Sequence, residues 1–244
     1  KSLSVANYLG GSVVSYDLGE GGVLKEKQLK IYQGVDDSSK AIRAHDVCYS
    51  PDGQYFLVPS ISTNEVFIHK VTDGIAQLKR RYTSPSLNGP RQLTFSKDGK
   101  FVYLLNQMGS SLSCFMFEKG ELKEFDSLST LPPKYSGPIN HASQVHLHPS
   151  GKFLYAANRG KNNSLSVFSR DQKSGGLKFV ANFPSGGVAP WAYAISEKGD
   201  FMFMTNNKSN NLKVFSLGVD GMPSDTGLSI KVPSPSSISL REEK

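Results

Sequence analysis

The sequence predicts an all-β protein, and specifically a β-propeller built of four-stranded antiparallel blades. A nine-residue pattern of turn residues followed by apolar residues recurs four times, and apolar residues around each copy alternate with a period of two. The glycines of the four copies lie 46 to 52 residues apart, a spacing typical of propeller blades and other repeat folds. These glycines are Gly53, Gly99, Gly151 and Gly199.

Each repeat contains four short runs that are typical of β-strands. In the second repeat these runs are residues 92–95, 101–105, 113–117 and 125–131. A turn such as Asp98-Gly99 separates the first two runs, because a tight hairpin favours a residue that adopts a positive φ. Four strands in a repeat of this length predict about five blades in this chain.

The two ends of the chain carry complementary parts of the repeat. Residues 1–7 match residues 100–106 in register, which predicts that the chain begins at the second strand of a blade. Residues 228–232 are predicted as a fourth strand, and residues 235–240 as a first strand with no second strand after it. The sequence pattern therefore leaves the outermost blades of this chain incomplete.

Two arrangements of the ends are compatible with this pattern. Either the last predicted strand closes onto residues 3–6 in a five-bladed ring, or the chain is a piece of a larger ring whose earlier blades are absent. In both cases we expect a single propeller domain over residues 1–240 and a short charged tail at residues 241–244.

Composition and charge narrow the possible partners. The net charge of +7 favours acidic partners, but the 28 Lys and Arg residues are scattered and no recognition helix is predicted, so a small anion is favoured over nucleic acid. No apolar run approaches the ~20 residues of a membrane span. Cys48 and Cys114 lie within predicted strands of different blades, which indicates free thiols and a cytoplasmic location.

Polar residues cluster at one predicted edge of the blades. The start of the first strand and the end of the second lie at the same edge, and in a propeller these edges converge on the central channel. Donor groups and an imidazole gathered there predict a clamp for carboxylate or phosphate with a general acid or base. The residues at these positions are His45, Arg91, Asn106, Gln107, His141, Gln144, Asn158, Arg159 and Trp191.

Several segments together resemble the lactonase family of seven-bladed propellers, which includes 6-phosphogluconolactonases and muconate lactonizing enzymes. The resemblance covers nearly the whole chain and implies a ring of seven blades, of which this chain lacks the first two. The matching segments are residues 5–13, 44–47, 89–91, 128–132, 148–160 and 232–235.

The resemblance implies a lactone ring opened or closed without a metal or another cofactor. His45 matches the family's histidine, and Arg91 and Arg159 match its two arginines. Gln107 stands where the family carries an acid, and a glutamine neither takes up nor delivers a proton near neutral pH. We therefore expect His45, Arg91, Arg159 and Gln107 at the catalytic position, with Asn106, His141, Gln144, Asn158 and Trp191 contacting the substrate.

Gln144 and Trp191 are two further departures from the family pattern, since they stand for a glutamate and an arginine. Three functions stay open from the sequence. The first is hydrolysis of a phosphorylated or carboxylated sugar lactone, such as 6-phosphogluconolactone. The second is a muconate-type lactonizing cycloisomerase. The third is a catalytically impaired propeller that serves as a binding or interaction module.

Three histidines, His141, His146 and His148, invite comparison with a metal site. His148 occupies the turn position that serine fills in the other three repeats, which favours a turn histidine over a zinc ligand. We expect no metal site.

Overall fold

A computed structural model describes residues 2–31, 42–138 and 140–241 of the chain. Within these ranges the regular structure consists of 19 β-strands and a short 3₁₀ turn at Glu20–Gly22. The strands form five antiparallel sheets in which neighbours along the chain pair, as in propeller blades. The predicted fold class is confirmed.

The first sheet has three strands and each of the others has four, so we number them as blades 1 to 5. Blade 1 contains β1 (Ser2–Asn7), β2 (Ser12–Leu18) and β3 (Leu24–Ile31). Blade 2 contains β4 (Cys48–Tyr49), β5 (Tyr55–Ser60), β6 (Glu65–Thr72) and β7 (Ile75–Thr83). Blade 3 contains β8 (Pro90–Phe95), β9 (Phe101–Asn106), β10 (Ser111–Glu118) and β11 (Glu121–Ser129). Blade 4 contains β12 (His141–Leu147), β13 (Phe153–Arg159), β14 (Ser164–Arg170) and β15 (Leu177–Pro184). Blade 5 contains β16 (Pro190–Ile195), β17 (Phe201–Asn206), β18 (Asn211–Leu217) and β19 (Pro223–Lys231).

The repeated turn between the first and second strands has the conformation that its sequence predicts. The four marker glycines all have a positive φ, between 69° and 78°. In blade 3 the Ser96 hydroxyl donates to Asp98 and accepts the backbone N–H of Phe101 at 3.0 Å. The turn is therefore closed by side-chain hydrogen bonds as well as by glycine.

The predicted first strand at residues 235–240 is wrong. These residues form no strand, because their backbone pairs with no strand in the part of the chain that the structure describes. One side-chain contact holds the start of the segment, since Asn207 Nδ2 donates to the Pro235 carbonyl oxygen at 3.4 Å. Of the predicted charged tail only Arg241 is described, and residues 242–244 lie outside the described residues, as does residue 1.

Two compact units divide the chain. The first comprises Lys1–Gln107 and Phe115–Phe125, and the second comprises Met108–Cys114 and Asp126–Lys244. In the first unit, β5 packs against β8, and in the second, β12 and β13 pack against β16. The single domain predicted over residues 1–240 stays a prediction.

Apolar side chains fill the space between blades within each unit. In the first unit one cluster includes Leu57, Val66 and Leu104, and in the second unit a cluster includes Tyr155 and Met204. All five side chains are fully buried. A second strand such as β9 is therefore buried on both faces and reads as a continuous apolar run, whereas a fourth strand such as β11 is mostly exposed. No helix in the described ranges has the length and apolar character to cross a membrane.

Candidate functional site

A one-residue β-bulge interrupts the first strand at the same point in blades 3, 4 and 5. The pairing register shifts between Pro90 and Gln92, between Ala142 and Gln144, and between Pro190 and Ala192. The residues at the bulges are Arg91, Ser143 and Trp191. A bulge leaves one residue out of the ladder and turns its side chain in a new direction, and such bulges are common beside active sites.

Blade 2 carries the same irregularity in a more pronounced form. Ala44 pairs with Ser60 in an isolated bridge, and the next pair is Cys48 with Leu57, so the register again shifts by one residue. The residue that follows the bridge is His45, which is therefore equivalent to Arg91 of blade 3. Two of the predicted catalytic residues thus occupy equivalent irregular positions in neighbouring blades of the first unit.

Gln107 fixes the guanidinium of Arg91. Arg91 Nε donates to Gln107 Oε1 at 2.9 Å, and the Gln107 backbone N–H donates to the Gly89 carbonyl oxygen at 2.8 Å. Arg91 is only 3% exposed, so water screens its charge weakly. A neutral amide here holds the arginine and leaves its charge intact, whereas a glutamate would offset that charge.

Two residues that the sequence analysis did not select lie beside His45. The ring of Tyr8 meets the imidazole edge-on with centroids 5.5 Å apart, and the guanidinium of Arg43 lies 5.3 Å from the centre of the same tyrosine ring. Tyr8 is exposed, and Arg43 and His45 are half-buried. The first unit therefore carries an accessible aromatic ring flanked by a cation and an imidazole, an arrangement suited to a polar anion.

Asp46 is the third residue that the sequence analysis missed. Its Oδ2 accepts the backbone N–H of Leu93 at 3.3 Å, which joins blade 2 to β8. Desolvation by the surrounding protein raises the pKa of Asp46 to about 6, although part of the residue's surface stays exposed; the hydrogen bond from Leu93 and the charge of Arg91 oppose this rise. Its only sequence signal was its place directly after His45.

Arg159 and Trp191 form a contact of their own in the second unit. The Arg159 guanidinium lies 4.1 Å from the centre of the Trp191 ring, which is a short cation–π contact. His141 pairs with Arg159 across the β12–β13 ladder, so these three predicted residues lie together. All three are half-buried.

The asparagines at the ends of the second strands of blades 3, 4 and 5 are fully buried. Asn158 Oδ1 accepts the Thr130 hydroxyl at 2.7 Å, and Asn158 Nδ2 donates to the Thr130 carbonyl oxygen at 2.7 Å. In blade 5 the equivalent Asn206 Nδ2 donates to the Ser185 carbonyl oxygen at 3.0 Å. Asn106 is fully buried at the same position of blade 3. In blades 4 and 5 this position therefore has a structural role, because it ties the second strand to the residue that follows the fourth strand of the preceding blade.

Gln144 is engaged inside the second unit. Its Oε1 accepts the backbone N–H of Tyr193 in a short hydrogen bond, and its Nε2 donates to His146 Nε2 at 2.6 Å. Burial lowers the pKa of His146 to about 4, which keeps the imidazole neutral and able to accept. Gln144, His146 and Tyr193 line a cleft of about 460 Å³ together with residues 238–240.

His148 lies in the turn, as the sequence predicts. Its Nε2 donates to the Gly199 carbonyl oxygen at 2.8 Å, so its Nδ1 accepts the Ser150 hydroxyl at 2.7 Å. Within residues 2–31, 42–138 and 140–241 no group of three or more His, Cys, Asp or Glu side chains is arranged to hold a metal ion. Metal independence of the chemistry stays a prediction.

The predicted site residues thus fall into two described sets. Arg91 and Gln107 touch each other in the first unit, where His45 occupies the equivalent bulge of the neighbouring blade. Arg159, Trp191 and His141 lie together in the second unit. That these residues serve one active site stays a prediction.

Comparison with known proteins identifies the family. The model of the family described as "Lactonase, 7-bladed beta-propeller" matches residues 1–240. A 6-phosphogluconolactonase of Formosa agariphila is 27% identical over 233 residues, which are 90% of this chain and 65% of the relative. The chain therefore spans less than two thirds of that relative's length.

Two solved structures are similar in sequence and in fold. The periplasmic gluconolactonase of Pseudomonas aeruginosa is 31% identical, with a TM-score of 0.84, over 97% of this chain and 69% of that one. A putative 6-phosphogluconolactonase of Bacteroides fragilis is 27% identical, with the same TM-score and the same coverage. Since the family model also matches residues 1–240, the chain belongs to the lactonase family of seven-bladed β-propellers.

Proposed function

We propose that this protein is a lactonase that hydrolyses a sugar lactone carrying a phosphate or carboxylate, such as 6-phosphogluconolactone, without a metal or another cofactor. The names of the Formosa agariphila and Bacteroides fragilis relatives support the reaction type. The observation that carries the proposal for this chain is the placement of His45 and Arg91 at equivalent bulges of neighbouring blades. An imidazole and a weakly screened guanidinium are the groups that hydrolysis of an anionic ester requires.

In this mechanism His45 acts as the general base. It removes a proton from a water molecule while the water oxygen bonds to the lactone carbonyl carbon. The positive charge of Arg91 stabilises the oxyanion of the tetrahedral intermediate, and the Gln107 amide keeps the guanidinium in place. The ring C–O bond then breaks, and the proton held by His45 passes to the departing ring oxygen, which leaves the free hydroxy acid.

Further basic groups are assigned to substrate binding. Arg43 supports the negatively charged substituent of the substrate in the first unit, where it lies over the Tyr8 ring. Arg159 is the second arginine of the proposed mechanism, with Trp191 covering one face of its guanidinium. The carboxamides of Asn158 and Gln144 already bond Thr130 and Tyr193, so we expect variants at these two positions to lose stability before affinity.

A second candidate function is a binding module that has lost catalysis. The observation that favours it is the Gln107 amide in contact with Arg91, because this amide cannot transfer a proton. No contact in the described residues favours the muconate-type cycloisomerase over hydrolysis.

Hydrolysis of 6-phosphogluconolactone tests the enzyme directly. Purified protein should hydrolyse it above the spontaneous rate, and His45→Gln should lower kcat/KM by about 100-fold or more because general base catalysis is lost. The matched control is His148→Gln, in a turn that takes no part in the mechanism, and it should retain the wild-type rate. An unchanged rate in His45→Gln removes His45 from the mechanism.

The variant Gln107→Glu separates the enzyme from the binding module. If the protein is an impaired module, wild type shows no turnover, and Gln107→Glu gains it by restoring an acid next to Arg91. If it is the proposed lactonase, Gln107→Glu lowers kcat/KM by roughly tenfold, because the new carboxylate offsets the charge of Arg91. Gln107→Met controls for loss of the hydrogen bond to Arg91.

We place the protein in the cytoplasm as part of the same proposal. Free thiols at Cys48 and Cys114 support a reducing compartment. The Pseudomonas aeruginosa relative is named a periplasmic gluconolactonase, so fractionation of the native host decides between the two compartments.

A further inference from the structure

Asp46 and Gln144 occupy the same place in their repeats and make the same hydrogen bond. Each residue follows a bulge in the first strand of its blade. Each side-chain oxygen accepts a backbone N–H from the first strand of the next blade, from Leu93 in one case and from Tyr193 in the other. Because a neutral amide suffices in blade 4, this position requires an acceptor and not a charge.

The fold therefore requires only a hydrogen-bond acceptor at position 46, and the negative charge of Asp46 is additional. Removing a carboxylate from water costs free energy unless a charge or hydrogen bonds compensate, and a neutral acceptor avoids most of this cost. Asp46 interacts with the charge of Arg91, which stands two residues before Leu93 on β8. Because Asp46 accepts the Leu93 N–H, its charge lies beside the strand that carries the arginine of the proposed site.

Cys48 is a further titratable group that interacts with Asp46. Burial and the charge of Asp46 both raise the pKa of the Cys48 thiol, which therefore stays neutral across the physiological range. His45 precedes Asp46 in the chain and is also ionisable, so the experiments below separate the two residues.

We propose that Asp46 is a positioning residue that fixes the strand carrying Arg91 and that sets, by gaining or losing its proton, how much of the Arg91 charge is available to an anion. This inference rests on the proposed function for its biological meaning, because the anion is then the charged group or the developing oxyanion of the lactone. Ionised Asp46 offsets the charge of Arg91, and protonated Asp46 releases it.

Linkage makes the coupling reciprocal. If protonation of Asp46 strengthens anion binding, then a bound anion must raise the pKa of Asp46 by the corresponding amount. The pKa of about 6 places this exchange close to physiological pH, where a change of one pH unit alters the charge of the site. A purely structural acceptor such as Gln144 has no such response.

The first experiment needs no substrate. The carboxyl carbon of Asp46, assigned by NMR with Asp46→Asn, is titrated in wild type, Arg91→Met and Arg91→Lys. We expect the midpoint to rise by about one pH unit in Arg91→Met, which lacks the charge, and to stay near the wild-type value in Arg91→Lys. The same midpoint in all three folded proteins overturns the proposal, whether or not the protein is a lactonase.

The second experiment measures anion binding as a function of pH. Sulfate is the probe because its charge is constant over the range, and His45→Gln is the background because it removes the imidazole titration. Sulfate affinity should rise by about threefold to tenfold as Asp46 becomes protonated, and Asp46→Asn should bind at the higher affinity at every pH. Asp98→Asn, which removes a carboxylate from a turn of the same unit, should retain the pH dependence.

The two proposals fail in different ways. A protein that hydrolyses no lactone but shows the Arg91-dependent midpoint loses the proposed function and keeps the coupling. A protein that hydrolyses the lactone with the same pH dependence of KM in wild type and Asp46→Asn keeps the function and loses the coupling. If the Asp46 midpoint depends on Arg91 but sulfate affinity does not change with pH, the proposed control of anion binding by Asp46 is also overturned.

Discussion

The same two positions of the repeat carry different chemistry in blade 2 and in blade 4. In blade 2 they hold Asp46 and Cys48, and in blade 4 they hold Gln144 and His146. Asp46 and Gln144 each accept the N–H of the next blade's first strand. The backbone geometry is thus repeated while the ionisable group differs, which separates what the fold requires from what each blade adds.

This difference gives the two blades opposite responses to pH. The folded-state pKa of Asp46 is raised to about 6, so its contribution to stability is complete below the ordinary pKa and is lost as the pH rises towards 6. The folded-state pKa of His146 is lowered to about 4, so its contribution is complete above the ordinary pKa near 6.5 and is lost as the pH falls towards 4. Acid weakens blade 4, and ionisation of Asp46 weakens blade 2.

Removing the acceptor should have the largest effect on stability. Gln144→Leu leaves the Tyr193 N–H and His146 without their partner, and we expect it to lower the free energy of unfolding by about 2 to 3 kcal/mol. Asp46→Leu should cost about 1 kcal/mol less at neutral pH, because it also removes a partly desolvated carboxylate. Urea denaturation of both variants measures this difference. Equal losses would mean that the charge of Asp46 carries no cost.

His146→Gln should alter stability in acid, by slightly less than Gln144→Leu alters it. Wild type should lose about 2 kcal/mol between about pH 7.5 and pH 5, because the unfolded imidazole takes up a proton that the folded one refuses. The glutamine variant lacks this titration, so its unfolding curves should shift less between the two conditions. His148→Gln, in the turn between β12 and β13, is the matched control, and its stability should change with pH as that of wild type does. If His146→Gln loses as much stability in acid as wild type, the neutral imidazole is not the cause.

Asp46→Asn should alter stability at high pH, whereas His146→Gln alters it in acid, and the change in stability should be smaller. The asparagine keeps an acceptor for the Leu93 N–H, so little changes in acid, where Asp46 is already protonated. At about pH 7.5 the variant should be more stable than wild type by about 1 kcal/mol, since ionised Asp46 no longer has to be desolvated; this is less than the full pKa shift implies because part of Asp46 stays exposed to water. Thermal unfolding between acid and about pH 7.5 measures the difference in stability between the variant and wild type. A variant that is less stable at high pH would show that the carboxylate stabilises the blade.

The sequence predicted the repeat well because its signals are local. Apolar alternation and the glycine turns predicted the strands of blades 3 and 4, and the His148 slot predicted a turn histidine. Residues 235–240 were predicted as a strand from the same alternation, yet a strand also requires a paired neighbour, which a local pattern cannot supply. The pattern therefore predicts strand-forming segments more reliably than it predicts strands.

The candidate site was predicted only in part, because its chemistry depends on register and burial. Counting along each repeat located His45 and Arg91, but it could not reveal that both stand at equivalent irregular positions of the first strand. Asp46 was missed because its significance comes from the Leu93 N–H and from Arg91, which lie more than 40 residues away in the chain. Asn158 was assigned to the substrate because the sequence shows a polar residue without showing its partner, Thr130.

We expect the smallest effect on stability at His148, where one repeat differs from the others in a turn that takes no part in the proposed mechanism. His148 replaces the serine of the other turns, and its imidazole bonds Ser150 and the Gly199 carbonyl oxygen. His148→Ser restores the turn of blade 3, in which Ser96 bonds its own hairpin, so the new hydroxyl can accept the Phe153 N–H in place of the lost contacts. We expect a change of less than about 0.5 kcal/mol by urea denaturation, with unchanged activity. A loss of about 2 kcal/mol would instead show that the Gly199 contact holds blades 4 and 5 together.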